Sequence, residues 1–433
     1  VTLRIRTAAA LSLLLIAVQS AKADLKEYLA KPEPNYKWEK VGEQDFAGGR
    51  MTDIQMVSQT WQGMDWKHRL QIFRPSKNEF PNFCVLLNTG GNGSPANTAM
   101  ASLLANKMGC TFAILFGIPN QPLYGGKTED ALVVYTWMKF METGDESWPL
   151  HFPMAKACLK AIDTIQAVAA KDGWKAPGEY MVTGASKRGW TTWLTGASGD
   201  KRIKAIAPMV IDVLNVAAQT QYQKESYGAF SEQIGDYTAV DIPSALKTPK
   251  GKRLLELEDP YSYRDILTLP KLIILGTNDR YWTQDALNLY WDGLKGEKWV
   301  TYTPNSGHGL EDRDHVFATM TAFARRIASK SKWPKMDWSY AEIPGGSTTL
   351  SLKSSMPVKS FRLYSCSSAT KDFRDSKWTY ETGTGADKAW SASTAPLEDR
   401  YLAVFGEAVY ELEPGREFTL STQIRIIPPK NKK

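Results

Sequence analysis

Gly184-Ala185-Ser186-Lys187-Arg188-Gly189 places a hydroxyl between an apolar run, Tyr180-Met181-Val182-Thr183, and a helical stretch from Trp190 to Ala197. A serine on a tight strand-to-helix turn is exposed as a nucleophile, and the first amides of the helix face any oxyanion that develops on its substrate. Gly184 and Ala185 are small enough for the turn to close. The run departs from G-x-S-x-G by one place, with Arg188 where the second glycine is expected and Gly189 after it.

Such a serine needs a base, an acid that orients the base, and donors for the oxyanion. The chain has four histidines. His68 lies in an early strand, His151 follows a Trp-Pro turn and His315 falls inside a helix; each reads as structural. His308 sits in Asn305-Ser306-Gly307-His308-Gly309, a glycine-bordered loop after a strand, and is the candidate base. Asp279 closes Gly276-Thr277-Asn278-Asp279 after the preceding strand and is the candidate acid. Asp285 is its rival, with a place near a helix start as its plainer role. Gly90 and Gly91 follow a buried strand and can present bare backbone N–H groups; with the Lys187 amide they are the candidate oxyanion hole.

Lys187 and Arg188 put two cations beside the serine. They either face the pocket and bind an anionic group, or Arg188 packs under the turn and pairs with a buried carboxylate. Glu129 and Asp130 start a helix, where acids suit the dipole; Glu129 is also a candidate anchor for a cationic substrate group. Gly90-Gly91-Asn92-Gly93 lacks both phosphate-loop spacings, and H-E-x-x-H is absent. No cofactor and no metal is expected.

The elements around these residues follow one order. Antiparallel candidates come first, Asp53 to Trp61 and Trp66 to Arg74. Continuous apolar strands then alternate with helices, as in a buried parallel sheet: Phe83 to Leu87, Thr111 to Phe116, the run before Ser186, Ile203 to Ile211, Leu272 to Leu275 and Trp299 to Tyr302. Helices are expected near 96–107, 128–142, 154–172, 283–294 and 312–329. This is the order of an α/β-hydrolase: a mostly parallel sheet with helices on both faces, with nucleophile, acid and histidine in that sequence. The irregular stretch 212–263 stands where a lid or cap would be inserted. After the polar, Pro-bearing linker near Lys330 to Pro334, only strand candidates remain, among them 348–352, 361–364, 401–405 and 418–427. The expected division is 1–23 as an export signal, 24–334 as the hydrolase domain and 335–433 as a small β-sandwich-like domain.

Arg4 and Arg6, the apolar run Ala8 to Val18 and Ala21-Lys22-Ala23 give the signal its three parts. The protein is thus expected outside the cytoplasm, periplasmic or secreted, with no stable membrane span once the signal is removed. Removal takes three positive charges from a formal +7 and leaves +4, an interspersed excess that does not point to nucleic acid. Cys84, Cys110, Cys158 and Cys366 have no C-x-x-C spacing. Cys84 and Cys110 open neighbouring strands, so a disulfide between them and buried free thiols both remain open.

G-A-S-K-R-G-W-T-T-W-L-T-G-A from Gly184 to Ala197 resembles the signature of the PhoPQ-activated pathogenicity-related family. So do Trp148-Pro149-Leu150 with Pro153-Met154, Asp259-Pro260-Tyr261, G-T-N-D-R-Y-W from Gly276, and P-N-S-G-H from Pro304. The resemblance runs from about residue 30 into the C-terminal region. It implies an exported, usually bacterial, α/β-hydrolase-like protein whose serine, acid and histidine fall on Ser186, Asp279 and His308. The expected activity is serine hydrolysis of an ester or amide bond in a small-molecule or peptide substrate, with no particular protein partner indicated. The alternative is a catalytically silent binding or signalling protein on the same scaffold.

Overall fold

The computed structural model describes residues 25–46, 48–342 and 346–431. The export signal expected over 1–23 lies outside them. A short helix α1 (Leu25–Ala30) precedes an antiparallel meander of β1 (Lys37–Phe46), β2 (Gly49–Trp61) and β3 (Met64–Pro75). β1 adds an edge strand that the sequence does not announce, because none of its residues is fully buried and no apolar run marks it.

The chain then alternates β4 (Phe83–Asn88), α2 (Pro95–Met108), β5 (Thr111–Leu115), α3 (Glu129–Thr143), α4 (His151–Asp172), β6 (Glu179–Ala185), α5 (Lys187–Gly196) and β7 (Ile203–Met209). Between β7 and the next strand come four helices: α6 (Val216–Tyr227), α7 (Gly235–Thr238), α8 (Ile242–Ala245) and α9 (Pro249–Glu258). They form a cap within the stretch 212–263. The core resumes with β8 (Lys271–Gly276), β9 (Lys298–Thr303) and α10 (Arg313–Ser329).

Strand order in this part is β1-β2-β3-β5-β4-β6-β7-β8-β9. Pairing turns from antiparallel to parallel at β5 and stays parallel through β9. The parallel strands are buried almost throughout, which is why they read as unbroken apolar runs. One core packs α3, α4, α5 and the cap against one face, and a second packs α2 and α10 against the other.

The C-terminal strands are β10 (Met336–Glu342), β11 (Thr348–Ser354), β12 (Ser360–Ser368), β13 (Thr379–Thr382), β14 (Thr384–Ala386), β15 (Ala389–Thr394), β16 (Tyr401–Glu413), β17 (Arg416–Ser421) and β18 (Arg425–Ile427). They stack in two layers. One is an antiparallel sheet in the order β10-β11-β15-β14. The other continues the central sheet, because β17 pairs with β9 where Ser421 faces Val300, and β16, β12 and β13 follow it. The sequence does not foresee this junction.

Two expectations change, and one alternative left open is decided. The helix expected over 283–294 is two 3-10 turns, Ala286–Leu289 and Trp291–Gly293. Side chains take the carbonyls an α-helix would use: Gln219 donates to Ala286 O, Asn215 to Leu289 O, and Lys298 to Trp291 O and Leu294 O. The strand expected over 418–427 breaks between β17 and β18, where Thr422 bonds with the Gly406 backbone instead. All four cysteines are buried free thiols, so no disulfide joins Cys84 to Cys110. Burial pushes the Cys110 and Cys158 thiols up to about 12, out of the reactive range.

The displaced glycine has a packing reason. A methyl group on Gly189 would lie 2.7 Å from Ile211 Cγ2 and 2.8 Å from Met209 O, because α5 crosses β7 there. Gly189→Ala should therefore lower stability by about 1–3 kcal/mol, the usual range for overpacking a closed site. Denaturant unfolding followed by tryptophan fluorescence checks this, with a lowered midpoint at unchanged m-value as the expected result.

Candidate active site

Ser186 ends β6 and starts α5 with φ 58° and ψ −128°. Left-handed backbone at a non-glycine residue is strained and persists only where its surroundings over-determine it. Here they do. Ser186 N donates to Met209 O at 2.9 Å, and Trp190 N to Ser186 O at 2.9 Å. Asn88 Nδ2, at the end of β4, donates to Thr183 O (2.8 Å), Arg188 O (3.2 Å) and Thr192 Oγ1 (3.0 Å), pinning strand end and helix start together. Asn88 was not singled out in the sequence; its place at the end of a buried strand was the available signal.

His308 Nδ1–H donates to Asp279 Oδ2 at 2.8 Å. Asp279 Oδ1 accepts from Tyr281 N at 2.9 Å, and the carboxylate is buried. The Tyr281 ring lies against the imidazole with centroids 4.4 Å apart. This fixes the imidazole so that Nε2 is the nitrogen left to take a proton. His308 and Ser186 line one cavity. Asp285 instead accepts from Tyr222 OH at 2.7 Å. The other histidines are engaged elsewhere: His68 with Ser58 Oγ and Gly117 O, His151 with Glu258, His315 with Thr301 and Thr419. Burial lowers His68 to about 4, which keeps it neutral.

The acid and histidine loops are fastened to the C-terminal strands. Asn278 Nδ2 donates to Arg374 O (3.1 Å) and Ser376 O (2.7 Å). Asn305 exchanges two bonds with the Trp378 backbone, Nδ2 to its carbonyl at 3.0 Å and Oδ1 from its N–H at 2.8 Å. The connection between β12 and β13 thereby holds both loops, a dependence no local pattern reveals.

Gly90 and Gly91 follow β4 and are not among the residues that line the cavity. A methyl group on Gly90 would collide with the Arg188 guanidinium, so this backbone lies directly against the side chain that leaves the serine turn. Of the two cations beside Ser186, Arg188 is turned away from substrate. It grips Glu129 with two bonds of 2.7 Å, donates to Ile118 O, and is absent from the cavity lining, as is Glu129. Burial raises the Glu129 carboxyl, but Arg188 outweighs it and the group sits at about 2. Lys187 does line the cavity, and its ammonium meets Asp130 at 3.1 Å and Glu129 at 3.2 Å. Glu129 is thus a partner of Arg188 rather than an open anchor, and Asp130 is the acid that reaches the cavity.

The cap lines the cavity through Val213, Val216, Ile242 and Leu246 among others. Asp259 ties its two ends, accepting from Asn215 N and Val216 N at the entry and Tyr261 N at the exit. That bond set accounts for Asp259-Pro260-Tyr261. Among the described residues no cluster could hold a metal ion, and no helix is long and apolar enough to cross a membrane.

These motifs fall within a wider match. Residues 25–374 fit the family described as PhoPQ-activated pathogenicity-related protein. The chain belongs to that family. A relative of this PhoPQ-related chain is autocrine proliferation repressor protein A of Dictyostelium discoideum, 28% identical over 466 residues and covering 96% of this chain and 93% of that protein. Solved structures that align with it include acetyl xylan esterases from Paenibacillus (14% identity, 69% of this chain and 91% of that one, TM-score 0.49) and Thermoanaerobacterium (14%, 70% and 93%, 0.47). An acylaminoacyl peptidase from Pyrococcus horikoshii aligns at 14% identity over 68% of this chain and 50% of its own, with TM-score 0.43. At such scores these likenesses leave the substrate of the PhoPQ-related chain open.

Behind the site, Asp212 is buried and accepts from Tyr290 OH at 2.7 Å. Burial, reinforced by the nearby charges of Asp279 and Asp285, pushes its carboxyl up to about 8. A carboxyl raised on folding binds its proton more tightly in the folded state, so its contribution to stability falls as pH rises from about 4, its unfolded value, to about 8. Asp212→Asn keeps the acceptor without the charge. It should raise the melting temperature at pH 8 by a few degrees relative to wild type and change it little at pH 4, as scanning calorimetry at the two pH values would show.

Proposed function

We propose that the protein is an exported serine hydrolase acting by an acyl-enzyme mechanism. The observation that carries this reading is the convergence of a strained, half-buried Ser186 and an Asp279-oriented His308 on one cavity. Ser186 Oγ attacks the carbonyl carbon of an ester or amide as His308 Nε2 takes its proton. The carbonyl π pair moves onto oxygen, which the Lys187 amide and the backbone at Gly90 and Gly91 stabilise; one such donor is worth about 3–4 kcal/mol of barrier. Collapse of this intermediate expels the leaving group, which takes the proton from His308. Water then repeats the sequence on the acyl-enzyme and regenerates Ser186. Asp279 keeps its bond to His308 Nδ1 throughout and stabilises the imidazolium. Export rests on Ala21-Lys22-Ala23 and the apolar run before it.

A silent hydrolase scaffold is the competing reading. It is disfavoured because all three side chains are present and His308 is held with Nδ1 engaged. A fluorophosphonate probe separates the two. Wild type should be labelled and Ser186→Ala should not, and the substitution should lower kcat on the order of 10⁶-fold towards any substrate found. Equal labelling of the two proteins would remove Ser186 from the nucleophile's role.

A further inference from the structure

Resting on acyl transfer at Ser186, we infer that the group bound beside the serine is uncharged and apolar, an aliphatic or aromatic portion of the substrate, and that the Lys187–Asp130 pair enforces this choice. Two cations beside a nucleophile would ordinarily point to an anionic substrate, and two acids nearby to a cationic one. The geometry cancels both. Arg188 is committed to Glu129 through both terminal guanidinium nitrogens and to Ile118 O through Nε. Lys187 is committed to Asp130 and Glu129 and has a side chain only 9% exposed. Asp130 also accepts from Tyr237 OH at 3.1 Å and Tyr281 OH at 3.4 Å. The four charges compensate one another, and none is left to meet a charged ligand.

The glutamine and threonine side chains of the wall are also occupied. Gln219 donates to Leu214 O and Ala286 O. Gln223 donates to Tyr281 O and accepts from Ser231 N. Thr220 donates to Val216 O. Between them the surface is Trp137, Trp190, Ile211, Val213, Ile242 and Leu246. A carboxylate or ammonium entering this cavity would lose its water and gain no counter-ion, whereas an apolar chain or ring gains burial. The cavity is also small, about 80 Å³. This suits a single chain or ring better than a hydrated head group.

The account gives Lys187 and Asp130 a specificity role with a sign. Removing one leaves the other uncompensated at the wall. Asp130→Asn adds a net positive charge and Lys187→Met a net negative one, while the Lys187 backbone amide stays in place.

The test is kcat/KM of the full protein for three 4-nitrophenyl esters of similar acyl length: hexanoate, adipate monoanion and 6-aminohexanoate, corrected for spontaneous hydrolysis. Wild type should favour hexanoate by 100-fold or more over each charged ester. Asp130→Asn should improve the adipate-to-hexanoate ratio at least tenfold, and Lys187→Met the 6-aminohexanoate-to-hexanoate ratio. Fluorophosphonate labelling of each protein at Ser186 runs in parallel. Labelled wild type that takes a charged ester as readily as hexanoate would overturn the specificity claim and leave the hydrolase reading standing. Labelled variants whose ratios stay unchanged, or move together in one direction, would overturn the role given to the pair. Loss of wild-type labelling would overturn both.

Discussion

The strand-to-helix crossing at Ser186 is the constraint on which the rest depends. A left-handed serine is held where α5 approaches β6 too closely for a side chain at Gly184 and β7 too closely for one at Gly189. At Gly184 a methyl group would meet Asn88 Nδ2 at 2.5 Å and Arg188 O at 2.6 Å. Asn88 converts that proximity into three hydrogen bonds. The parallel sheet fixes where β4, β6 and β7 end, so these contacts are a consequence of register rather than of the turn alone. The strain is supported by buried strands, and the hydroxyl is left at the floor of the cavity.

The two other parts of the chain serve the same centre. The cap supplies the roof and joins α3 through Tyr237 and Asp130. The C-terminal strands extend the sheet beyond β9 and send the connection at Arg374 to Trp378 back to Asn278 and Asn305. The same connection reaches the cap, since Arg374 and Arg280 both pair with Glu232. Acid loop, histidine loop and cap are therefore braced from one place. The C-terminal region, which the sequence divides off as a small β-sandwich-like domain, is bonded directly to both loops of the candidate site.

The legible features were those set by short-range chemistry. Continuous apolar runs identify parallel strands because both of their faces are covered. Ser186 stands out because strand, small residues and helix adjoin in sequence, and His308 because the three other histidines fall in the wrong elements. The long-range features were not legible. Lys187 meets Asp130 across 57 residues, so spacing could not tell a charged pocket from a neutral one. The stretch 283–294 has helical apolar spacing at Leu287, Tyr290 and Trp291, but side chains from α6, its N-terminal flank and β9 claim its carbonyls. The union of β17 with β9 rests on a pairing at Ser421, which no alternation pattern encodes. Family motifs narrowed the fold and the site, while the charge balance around the serine needed coordinates.

The most direct measurement is a crystal structure of the protein after reaction with a neutral alkyl phosphonate. The account predicts a covalent bond from phosphorus to Ser186 Oγ, the phosphoryl oxygen accepting from the Lys187 amide and the backbone at Gly90 or Gly91, His308 still bonded to Asp279, and the alkyl chain against Trp190 and the cap. Phosphorus on a different side chain, or an alkyl chain lying outside the capped cavity, would contradict it.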